Sequence, residues 1–485
     1  MTKMRMWTST NGMTEWKTSH PTLGCQYFAE PRLEFADGKQ HVDPKLGLLL
    51  NGPKSYSPIK QHPATVRVGF IGTAESIELG RDWLVRAARG VPGNDKHVAF
   101  PGYSNARGFY SELLFQENWN AQVFRGELDD VLEQRGTRTR FEMALALLDS
   151  KMDILSRKDQ VPEYVIVALP DALYGKCRVT DYRDSTLGEV HRDLRRAFKS
   201  LAMKYRIPTQ LLRQATSEER GKDHPANVAW DFFTALYSKA GGHPWAPIGL
   251  GAGTCYLGIS FFRPLGTSSK NVQVSLVQAF DEHGEGLVLR GQDFVWDEER
   301  EGTRAPHLTE ENAYQLTAWT LARYAEEIGQ LPRRVVIHKS SRYWLPERAG
   351  FEAALKQRVQ QYDLLALSPQ SDIRLLPESQ YPPLRGTRFT IDDVDLLYTT
   401  GYVSELNRFF GMHVPAPLLI ADHVGYDTPR DTLLKEVLIL TKMNSNSANF
   451  AGLMPITLRF SRLVGDIMRE IPPDREPLPN FKYYT

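Results

Sequence analysis

Four polar side chains have the types and the order expected of a binding site for a terminal phosphate. Arg195 and Lys199 lie four residues apart, so a helix would place both cations on one face. Gln210 opens the next segment and offers an uncharged donor, and Lys239 follows at the end of a later predicted helix. Each charge-assisted hydrogen bond to a phosphate oxygen could contribute about 1.5–3 kcal/mol before ordering costs. The alternative for Arg195 and Lys199 taken alone is a solvated basic helix face.

The sequence around Lys239 strengthens the phosphate interpretation. Residues 238–245 read Ser-Lys-Ala-Gly-Gly-His-Pro-Trp. The two glycines allow a backbone to approach a ligand closely, and the proline stiffens the exit from the turn. A cation next to small residues at a helix end is therefore compatible with a phosphate contact.

Length and charge limit the class of protein. With 485 residues, of which 41% are hydrophobic and 24% charged, the chain can bury more than one core, and we expect two domains. The formal net charge is only +1, so any binding of nucleic acid must use a local channel. One local concentration of positive charge exists, opposed by a single Asp193, and it consists of Arg192, Arg195, Arg196, Lys199, Lys204 and Arg206.

The sequence contains no signal for secretion, membrane insertion or a structural metal. No window of about 18 uncharged apolar residues occurs, and the first 20 residues lack the apolar core of a signal peptide. Cys25, Cys177 and Cys255 are far apart and form no CxxC pair, which argues against a disulfide framework and a zinc site. We expect a cytoplasmic protein with no membrane partner.

The elements that would position the phosphate ligands read as an α/β domain over residues 65–245. Strands are predicted at 65–72 and 163–170, and the second is a continuous apolar run of the kind buried in a parallel sheet. Predicted helices at 140–155, 187–205 and 227–237 separate or follow them. This is a doubly wound, Rossmann-like unit. Residues 1–64 are rich in turn formers and read as an extended lead-in or linker with one or two edge strands.

Residues 246–485 read as a second α/β domain. Three strands on short connections come first, then alternating helices and strands, which is the order of an RNase H-like domain. The predicted strands are 254–262, 271–280, 286–291, 334–338, 363–367, 394–399 and 418–422, and the predicted helices are 310–328 and 346–360.

The order of these motifs resembles that of Argonaute proteins. In the middle domain of that family, cations and a glutamine arranged like Arg195, Lys199, Gln210 and Lys239 grip the 5′-phosphate of a guide strand. Residues 334–342, 440–447 and 454–465 resemble motifs of the PIWI domain, so the resemblance spans roughly residues 40–485. The length is too short for the N-terminal and PAZ domains of long Argonautes. The resemblance is therefore to a short prokaryotic Argonaute, with a middle domain at 65–245 and a PIWI domain at 246–485.

The resemblance also implies further site residues. Asn444 and Asn446 would contact the backbone of the guide or target, although asparagines after a helix are also ordinary turn formers. The C-terminal carboxylate, here that of Thr485, would share a Mg²⁺ ion with the guide 5′-phosphate.

The chain departs from cutting members of the family at the catalytic positions. Strand cleavage by an RNase H-like site needs carboxylates that hold two divalent ions. Ser260, Ser340 and Arg462 stand where such acids or a histidine would be. Serine is a poor ligand for Mg²⁺, and a nearby arginine would repel the ion. These departures predict a PIWI domain that binds nucleic acid and does not cut it.

The function implied by the resemblance is recognition guided by a small nucleic acid. A 5′-phosphorylated guide, RNA in preference to DNA, would pair with single-stranded target DNA. Recognition would activate a partner, separately encoded or fused, that bears an APAZ region and an effector, either a TIR or sirtuin-like NAD hydrolase or a nuclease, in prokaryotic defence against plasmids and phage. Two alternatives stay open, a catalytically active guided nuclease and a metabolic enzyme that binds a dinucleotide at residues 249–253, Gly-Leu-Gly-Ala-Gly.

Overall fold

The computed structural model describes most of the chain, namely residues 21–56, 62–185, 188–265, 271–279, 288–303, 305–378, 381–411, 413–426, 428–444, 446–472 and 475–485. Within these ranges, no helix combines the length and the apolar character needed to cross a membrane.

The N-terminal segment is folded against the rest of the chain. Its elements are β1 (Leu23–Tyr27), β2 (Leu33–Glu34), β3 (Gln40–His41) and α1 (Pro44–Asn51). Helix α1 begins after Asp43, whose carboxylate accepts hydrogen bonds from the N–H groups of Lys45 and Leu46 at 2.8 and 3.0 Å. Phe28, Leu33 and Phe35 are fully buried. The N-terminal segment, which the sequence predicted to be a linker, therefore also contributes side chains to the protein core.

The next part of the chain builds a four-stranded parallel sheet covered on both faces. Alternate residues of its central strand 164–169 enter two different cores, Tyr164 and Ile166 on one face and Val165 and Val167 on the other. The sheet order is β11-β8-β4-β7. The elements are β4 (Thr65–Gly72), α2 (Ala74–Ala88), β5 (Tyr103–Ser104), β6 (Arg107–Gly108), β7 (Glu112–Gln122), α3 (Arg125–Leu132), α4 (Thr137–Ser156), β8 (Tyr164–Leu169), α5 (Asp171–Cys177), β9 (Val179–Asp184), β10 (Gly188–Asp193), α6 (Leu194–Ala202), β11 (Thr209–Arg213), α7 (Gln214–Ser217) and α8 (Pro225–Lys239).

The helix predicted over residues 187–205 is wrong in its first part. Strand β10 occupies Gly188–Asp193 and pairs antiparallel with β9. Helix α6 starts only at Leu194, because the Asp193 carboxylate accepts a hydrogen bond from the N–H of Arg196 at 3.1 Å and caps the helix. The later half of the prediction, which contains Arg195 and Lys199, is confirmed.

The remaining chain builds a nine-stranded sheet with the order β1-β18-β19-β22-β17-β16-β13-β14-β15. Its centre is parallel, β13 with β16 and β16 with β17, and β14 and β15 continue it antiparallel. The elements are β12 (Ala246–Pro247), β13 (Thr254–Phe262), β14 (Asn271–Ala279), β15 (Val288–Val295), α9 (Glu298–Glu301), α10 (Glu310–Ile328), β16 (Arg334–Lys339), α11 (Leu345–Lys356), β17 (Gln361–Ser368), β18 (Thr387–Ile391), β19 (Val394–Leu397), β20 (Tyr402–Val403), β21 (Arg408–Phe409), β22 (Leu418–Gly425), α12 (Arg430–Leu440) and α13 (Ile456–Met468).

Two features tie these parts together. Strand β1 forms one edge of the nine-stranded sheet by pairing antiparallel with β18, and Leu23 lies opposite Ile391. Helix α13 packs across β13 so closely that a Cβ atom at Gly258 would lie 2.1 Å from the carbonyl oxygen of Thr457. Only glycine fits there. The predicted α/β class, a Rossmann-like unit followed by an RNase H-like sheet, is confirmed.

Candidate phosphate-binding site

Two lysines from different helices meet at one backbone carbonyl. Lys199 projects from α6, and Lys239 is the last residue of α8. The Nζ atom of Lys199 lies 3.0 Å from the carbonyl oxygen of Thr209, and that of Lys239 lies 3.4 Å from the same oxygen. Thr209 is the first residue of β11, the edge strand of the parallel sheet, so the fold of the sheet fixes where the two ammonium groups converge.

Gln210 completes the cluster together with a residue that the sequence did not single out. Its Oε1 atom accepts a hydrogen bond from Lys239 at 3.0 Å and another from the hydroxyl of Tyr164 at 2.6 Å. Tyr164 begins β8, which pairs in parallel register with β11. A single hydroxyl at the start of an otherwise aliphatic strand was the only signal for it in the sequence.

The two lysines are buried without a counterion. Lys199 is 2% exposed and Lys239 is 4% exposed, and neither forms an ion pair with a carboxylate in the described part of the chain. Burial lowers the pKa of both far below the ordinary value, and the charge of Arg195 lowers it further. For Lys199, the charge of Lys239 also lowers the pKa. Because a buried cation without an anionic partner is costly, the cluster is suited to receive an anion.

Arg195 is available to the same anion. It lies one helical turn before Lys199, is partly buried, and makes no hydrogen bond or ion pair within the described ranges. Burial is the largest cause of its lowered pKa.

Other cations of the local basic concentration are neutralised within the protein. Arg192 pairs with Glu470 at 2.9 Å, Arg196 with Asp466 at 2.8 Å, and Lys204 with Asp149 at 2.7 Å. The Arg196–Asp466 pair joins α6 to α13, and the Arg192–Glu470 pair joins β10 to the chain just after α13. Three of the six clustered basic residues are thus paired within the protein, and Lys199 is the buried one, which forms no ion pair with the described residues.

A cavity of about 360 Å³ adjoins Gln210. Asn446, from the loop after α12, lines it as well, so the structure brings these two predicted residues together. The Oδ1 atom of Asn446 is buried without a hydrogen-bond partner in the described structure. Asn444 has a different contact, because its Oδ1 accepts a hydrogen bond from the Asn446 N–H at 3.1 Å and shapes the turn. Asn444 does not line the cavity.

The end of the chain packs against the parallel-sheet part. Tyr484 is fully buried in the core that also contains Leu236 of α8, and the Tyr483 hydroxyl donates to the carbonyl of Arg206 at 3.1 Å. Thr485 is 4% exposed. Its carboxylate forms no ion pair with the described residues. No described lysine, arginine or histidine therefore neutralises its charge.

Among known proteins, the chain resembles solved Argonaute structures in fold but matches no sequence family. No family model matches the sequence, and no curated protein matches it. Among solved structures, Clostridium butyricum Argonaute bound to a guide DNA and a 19-mer target DNA superposes with a TM-score of 0.63 at 14% identity, covering 93% of this chain and 54% of that one. A. aeolicus Argonaute gives 0.57 at 14%, with 96% and 55% covered, and Drosophila Piwi gives 0.57 at 13%, with 95% and 56% covered.

The fold is that of the Argonaute middle and PIWI domains. In this fold, the four-stranded parallel sheet corresponds to that of a middle domain and the nine-stranded sheet to that of a PIWI domain. The chain spans about half the length of the Argonautes that it matches.

Ser260 and Ser340, at which the sequence predicted missing catalytic acids, lie within β13 and just after the neighbouring strand β16. Ile259 pairs with Lys339 in parallel register, so Ser260 and Ser340 follow side by side. Ser340 is exposed, and so is Arg462 on α13, the helix that packs across β13. Across the residues that the structure describes, no three His, Cys, Asp or Glu side chains converge as metal ligands would.

The glycine loop at 249–253 leads into a strand. Gly249 and Gly253 adopt positive φ angles of 93° and 69°, and β13 begins at Thr254. The loop therefore does not join a strand to a helix, which a dinucleotide fingerprint requires.

Proposed function

We propose that this chain holds the 5′-phosphate of a guide strand between Lys199, Lys239, Gln210 and Arg195. The observation that carries the proposal is the pair of buried lysines, which form no ion pair with a carboxylate of the described residues. A phosphate would supply the missing negative charge, and the amide of Gln210 and the guanidinium of Arg195 would add donors around it. The Argonaute fold supports this choice of ligand, since the similar C. butyricum protein was solved with guide and target DNA.

The adjoining cavity would receive the first nucleotide of the guide. Its volume of about 360 Å³ lies within the range of small-ligand pockets. The unpartnered Oδ1 of Asn446 would accept a hydrogen bond from that nucleotide. The rest of the guide, RNA in this proposal, would display its bases for pairing with single-stranded target DNA. Sequence specificity is then left to base pairing, while the protein contacts the backbone.

The carboxylate of Thr485 would help to hold a Mg²⁺ ion in this proposal, together with the guide phosphate. Mg²⁺ is commonly bound by one or two carboxylates together with phosphate oxygens and water. Thr485 offers one carboxylate that is free of ion pairs with the described residues, next to the middle domain. When bound, the ion would neutralise part of the phosphate charge.

The PIWI domain in this proposal binds strands without cutting them. With guide and complementary target present, we expect both strands to stay intact in Mg²⁺ or Mn²⁺, because Ser260 and Ser340 cannot hold the two ions that strand cleavage requires. Denaturing gels of end-labelled strands measure this. A product of defined length whose formation depends on the guide, and which a substitution in the PIWI domain abolishes, would instead support the guided nuclease.

The output would come from a second protein. We propose that target binding activates an APAZ-containing effector, a TIR or sirtuin-like NAD hydrolase or a nuclease, in defence against plasmids and phage. The N-terminal segment leaves apolar side chains uncovered that a partner could bury, since Leu23, Tyr27, Leu49 and Leu50 are 61%, 43%, 40% and 67% exposed. Leu23 and Tyr27 belong to β1, at the edge of the sheet.

One preparation tests the ligand and the partner. Co-expression with the neighbouring reading frame should yield a heterodimer on sizing, and the nucleic acid that copurifies should be short and carry a 5′-phosphate. Enzymatic end-labelling before and after phosphatase treatment identifies the terminus, and sequencing gives the length and the sugar type. A monodisperse monomer, with guide and target present at micromolar concentration, would rule out the partner. Copurified strands with 5′-hydroxyl ends would rule out the phosphate site.

A further inference from the structure

A buried tyrosine lies directly behind Gln210, the uncharged member of the phosphate cluster. Tyr164 is fully buried and packs into the same core as Ile166, two residues later on β8. Gln210 lies beside Ile166 in the parallel register of β8 and β11, so the side chains of Tyr164 and Gln210 point to the same face of the sheet. The Tyr164 hydroxyl reaches Gln210 Oε1 at 2.6 Å and donates a hydrogen bond to it.

The amide oxygen of Gln210 has its full complement of donors. An amide oxygen has two lone pairs. The Tyr164 hydroxyl occupies one of them, and Lys239 Nζ, 3.0 Å away, occupies the other. The amide nitrogen Nε2 makes no hydrogen bond with the described residues, and Gln210 lines the cavity of about 360 Å³. The protein thus holds the oxygen inward and leaves the N–H donors of the amide for a ligand.

Tyr164 can only be the donor in its contact with Gln210. Oε1 carries no hydrogen, and burial raises the pKa of the Tyr164 phenol well above its ordinary value of 10.0, so the hydroxyl keeps its proton. The hydroxyl oxygen also lies 3.5 Å from Lys239 Nζ, which donates to it. The phenol therefore directs its single hydrogen to Gln210 and accepts a hydrogen bond from Lys239.

Lys239 has more acceptors than hydrogens once a phosphate is present. A protonated lysine has three N–H bonds. The acceptors around Lys239 Nζ are the Thr209 carbonyl oxygen at 3.4 Å, Gln210 Oε1 at 3.0 Å and the Tyr164 hydroxyl at 3.5 Å. A phosphate oxygen would be a fourth acceptor and a charged one, so Lys239 must give up an internal contact to bind it. The hydrogen of Tyr164 has no second acceptor among the described residues and can stay on Gln210.

We propose that Tyr164 is a positioning residue of the phosphate site, which keeps the Gln210 oxygen turned inward while Lys239 turns to the ligand. Gln210 then presents only N–H donors, so the site selects a strand end that carries acceptor oxygens. An amide released from Tyr164 can rotate by half a turn and offer its oxygen, which repels an anion. The inference rests on the proposed function in one respect, that the ligand is the 5′-phosphate of a strand.

A purely structural role for Tyr164 leads to a different result. Removing a hydroxyl that only satisfies a polar group of the core weakens the fold, because that group is left without a partner. Such a change acts in the same way on strands with either end. A positioning role acts through Gln210, so it changes the affinity only for ends that Gln210 contacts.

The Tyr164→Phe variant removes the hydroxyl and keeps the ring. Strands with 5′-phosphate and 5′-hydroxyl ends are titrated against the wild type and the variant by fluorescence anisotropy. We expect the variant to bind the phosphorylated strand about 10-fold more weakly, which is the scale of one hydrogen bond to an anion. Its affinity for the hydroxyl-ended strand should stay within about 2-fold of the wild type, the range in which unrelated effects fall.

Coupling to Gln210 distinguishes positioning from a separate contact. Gln210→Met removes both the acceptor for Tyr164 and the donor to the phosphate, and it should also weaken binding of the phosphorylated strand about 10-fold. Adding Tyr164→Phe to Gln210→Met should cost no more than about a further 2-fold. Two independent losses would multiply to about 100-fold, and that result would overturn the inference.

Tyr103→Phe is the matched control. Tyr103 is buried in the same core, and its hydroxyl accepts a hydrogen bond from Ser111 at 3.0 Å. It forms no hydrogen bond with Gln210, so the substitution removes a buried hydroxyl without releasing the amide. This control should keep the wild-type preference for the phosphorylated strand. Thermal melting compares the stability of the two variants.

A crystal structure of the wild type with a 5′-phosphorylated strand tests the same contact without a variant. The Tyr164 hydroxyl should stay within about 3 Å of the Gln210 side chain, while the other end of the amide contacts a phosphate oxygen. A Gln210 side chain that turns away from Tyr164 in the complex would contradict the positioning role.

The outcomes separate this inference from the proposed function. Equal affinity of the wild type for the two strand ends would contradict the phosphate site itself. If the wild type prefers the phosphate and Tyr164→Phe keeps that preference within about 2-fold, the phosphate site stands and the positioning role is wrong. The positioning role is also wrong if Tyr164→Phe weakens binding of both strands equally, because that pattern belongs to a structural hydroxyl.

Discussion

Replacing Lys199 with methionine should remove the preference for 5′-phosphorylated strands and, at the same time, stabilise the free protein. The loss of one charge-assisted hydrogen bond in a buried site corresponds to about 1.5–3 kcal/mol, or about 10- to 100-fold in affinity for the phosphorylated strand. Without ligand, the same lysine is buried, and it forms no ion pair with a carboxylate in the part of the chain that the structure describes. Its replacement by an apolar side chain of similar length should therefore raise the free energy of unfolding by about 1–3 kcal/mol.

The burial of Lys199 should also make the stability of the free protein depend on pH. The pKa of Lys199 is lowered in the folded protein, by burial and by Lys239 and Arg195, from the ordinary value of 10.5. Below 10.5 the unfolded chain binds a proton that the folded protein resists, so stability should rise as pH increases from the lowered pKa toward 10.5. Thermal melting of the free protein between neutral pH and pH 10 measures this rise. The rise in stability with pH should be smaller in the Lys199→Met variant.

Lys204→Met is the matched control. Lys204 follows the same helix, but it is partly exposed and pairs with Asp149 at 2.7 Å. It should leave the phosphate preference unchanged and should not stabilise the protein. Affinities are compared for phosphorylated and hydroxyl-ended strands by fluorescence anisotropy. Equal affinity of the wild type for both ends would contradict the phosphate site, and a destabilised Lys199→Met would contradict the account of an unpaired buried charge.

Replacing Glu30 with glutamine should destabilise the protein by about 3–5 kcal/mol, because two buried cations would lose their anionic partner. Glu30 accepts hydrogen bonds from Arg385 at 2.9 Å and from Lys442 at 2.8 Å, and these three side chains are at most 1% exposed. Burial lowers the pKa of Lys442 to about 8, although the charge of Glu30 opposes the shift. Chemical denaturation with a two-state fit to the first transition measures the loss.

Glu34→Gln provides the comparison within the same segment. Glu34 pairs with Lys54, and both side chains are roughly one-quarter to one-third exposed, so this change should cost about 1 kcal/mol or less. If the two variants are equally stable, Glu30 does not anchor the N-terminal segment to the PIWI domain. A large loss in Glu30→Gln alone would show that this segment is integral to the fold, and not a detachable lead-in.

The sequence by itself determined the elements whose signals are local. Helix α10 was predicted at its observed bounds, and local contacts set them, because the Thr309 hydroxyl accepts a hydrogen bond from the Asn312 N–H and Gly329 ends the helix at a positive φ of 82°. The buried parallel strands were predicted because their apolar runs are continuous. The order of Arg195, Lys199, Gln210 and Lys239 indicated a phosphate site, and the structure brings Lys199, Gln210 and Lys239 into contact around the start of β11.

Only the tertiary structure decided which of these residues are free to bind a ligand. Arg192 and Arg196 look like Arg195 in the sequence, but Glu470 and Asp466, more than 250 residues later, neutralise them. Tyr164 joins Gln210 through the register of two strands, and β1 finds its partner β18 more than 350 residues away. Such contacts depend on how distant segments pack, and the local periodicity and spacing of a sequence carry no information about which distant charge will lie beside which cation.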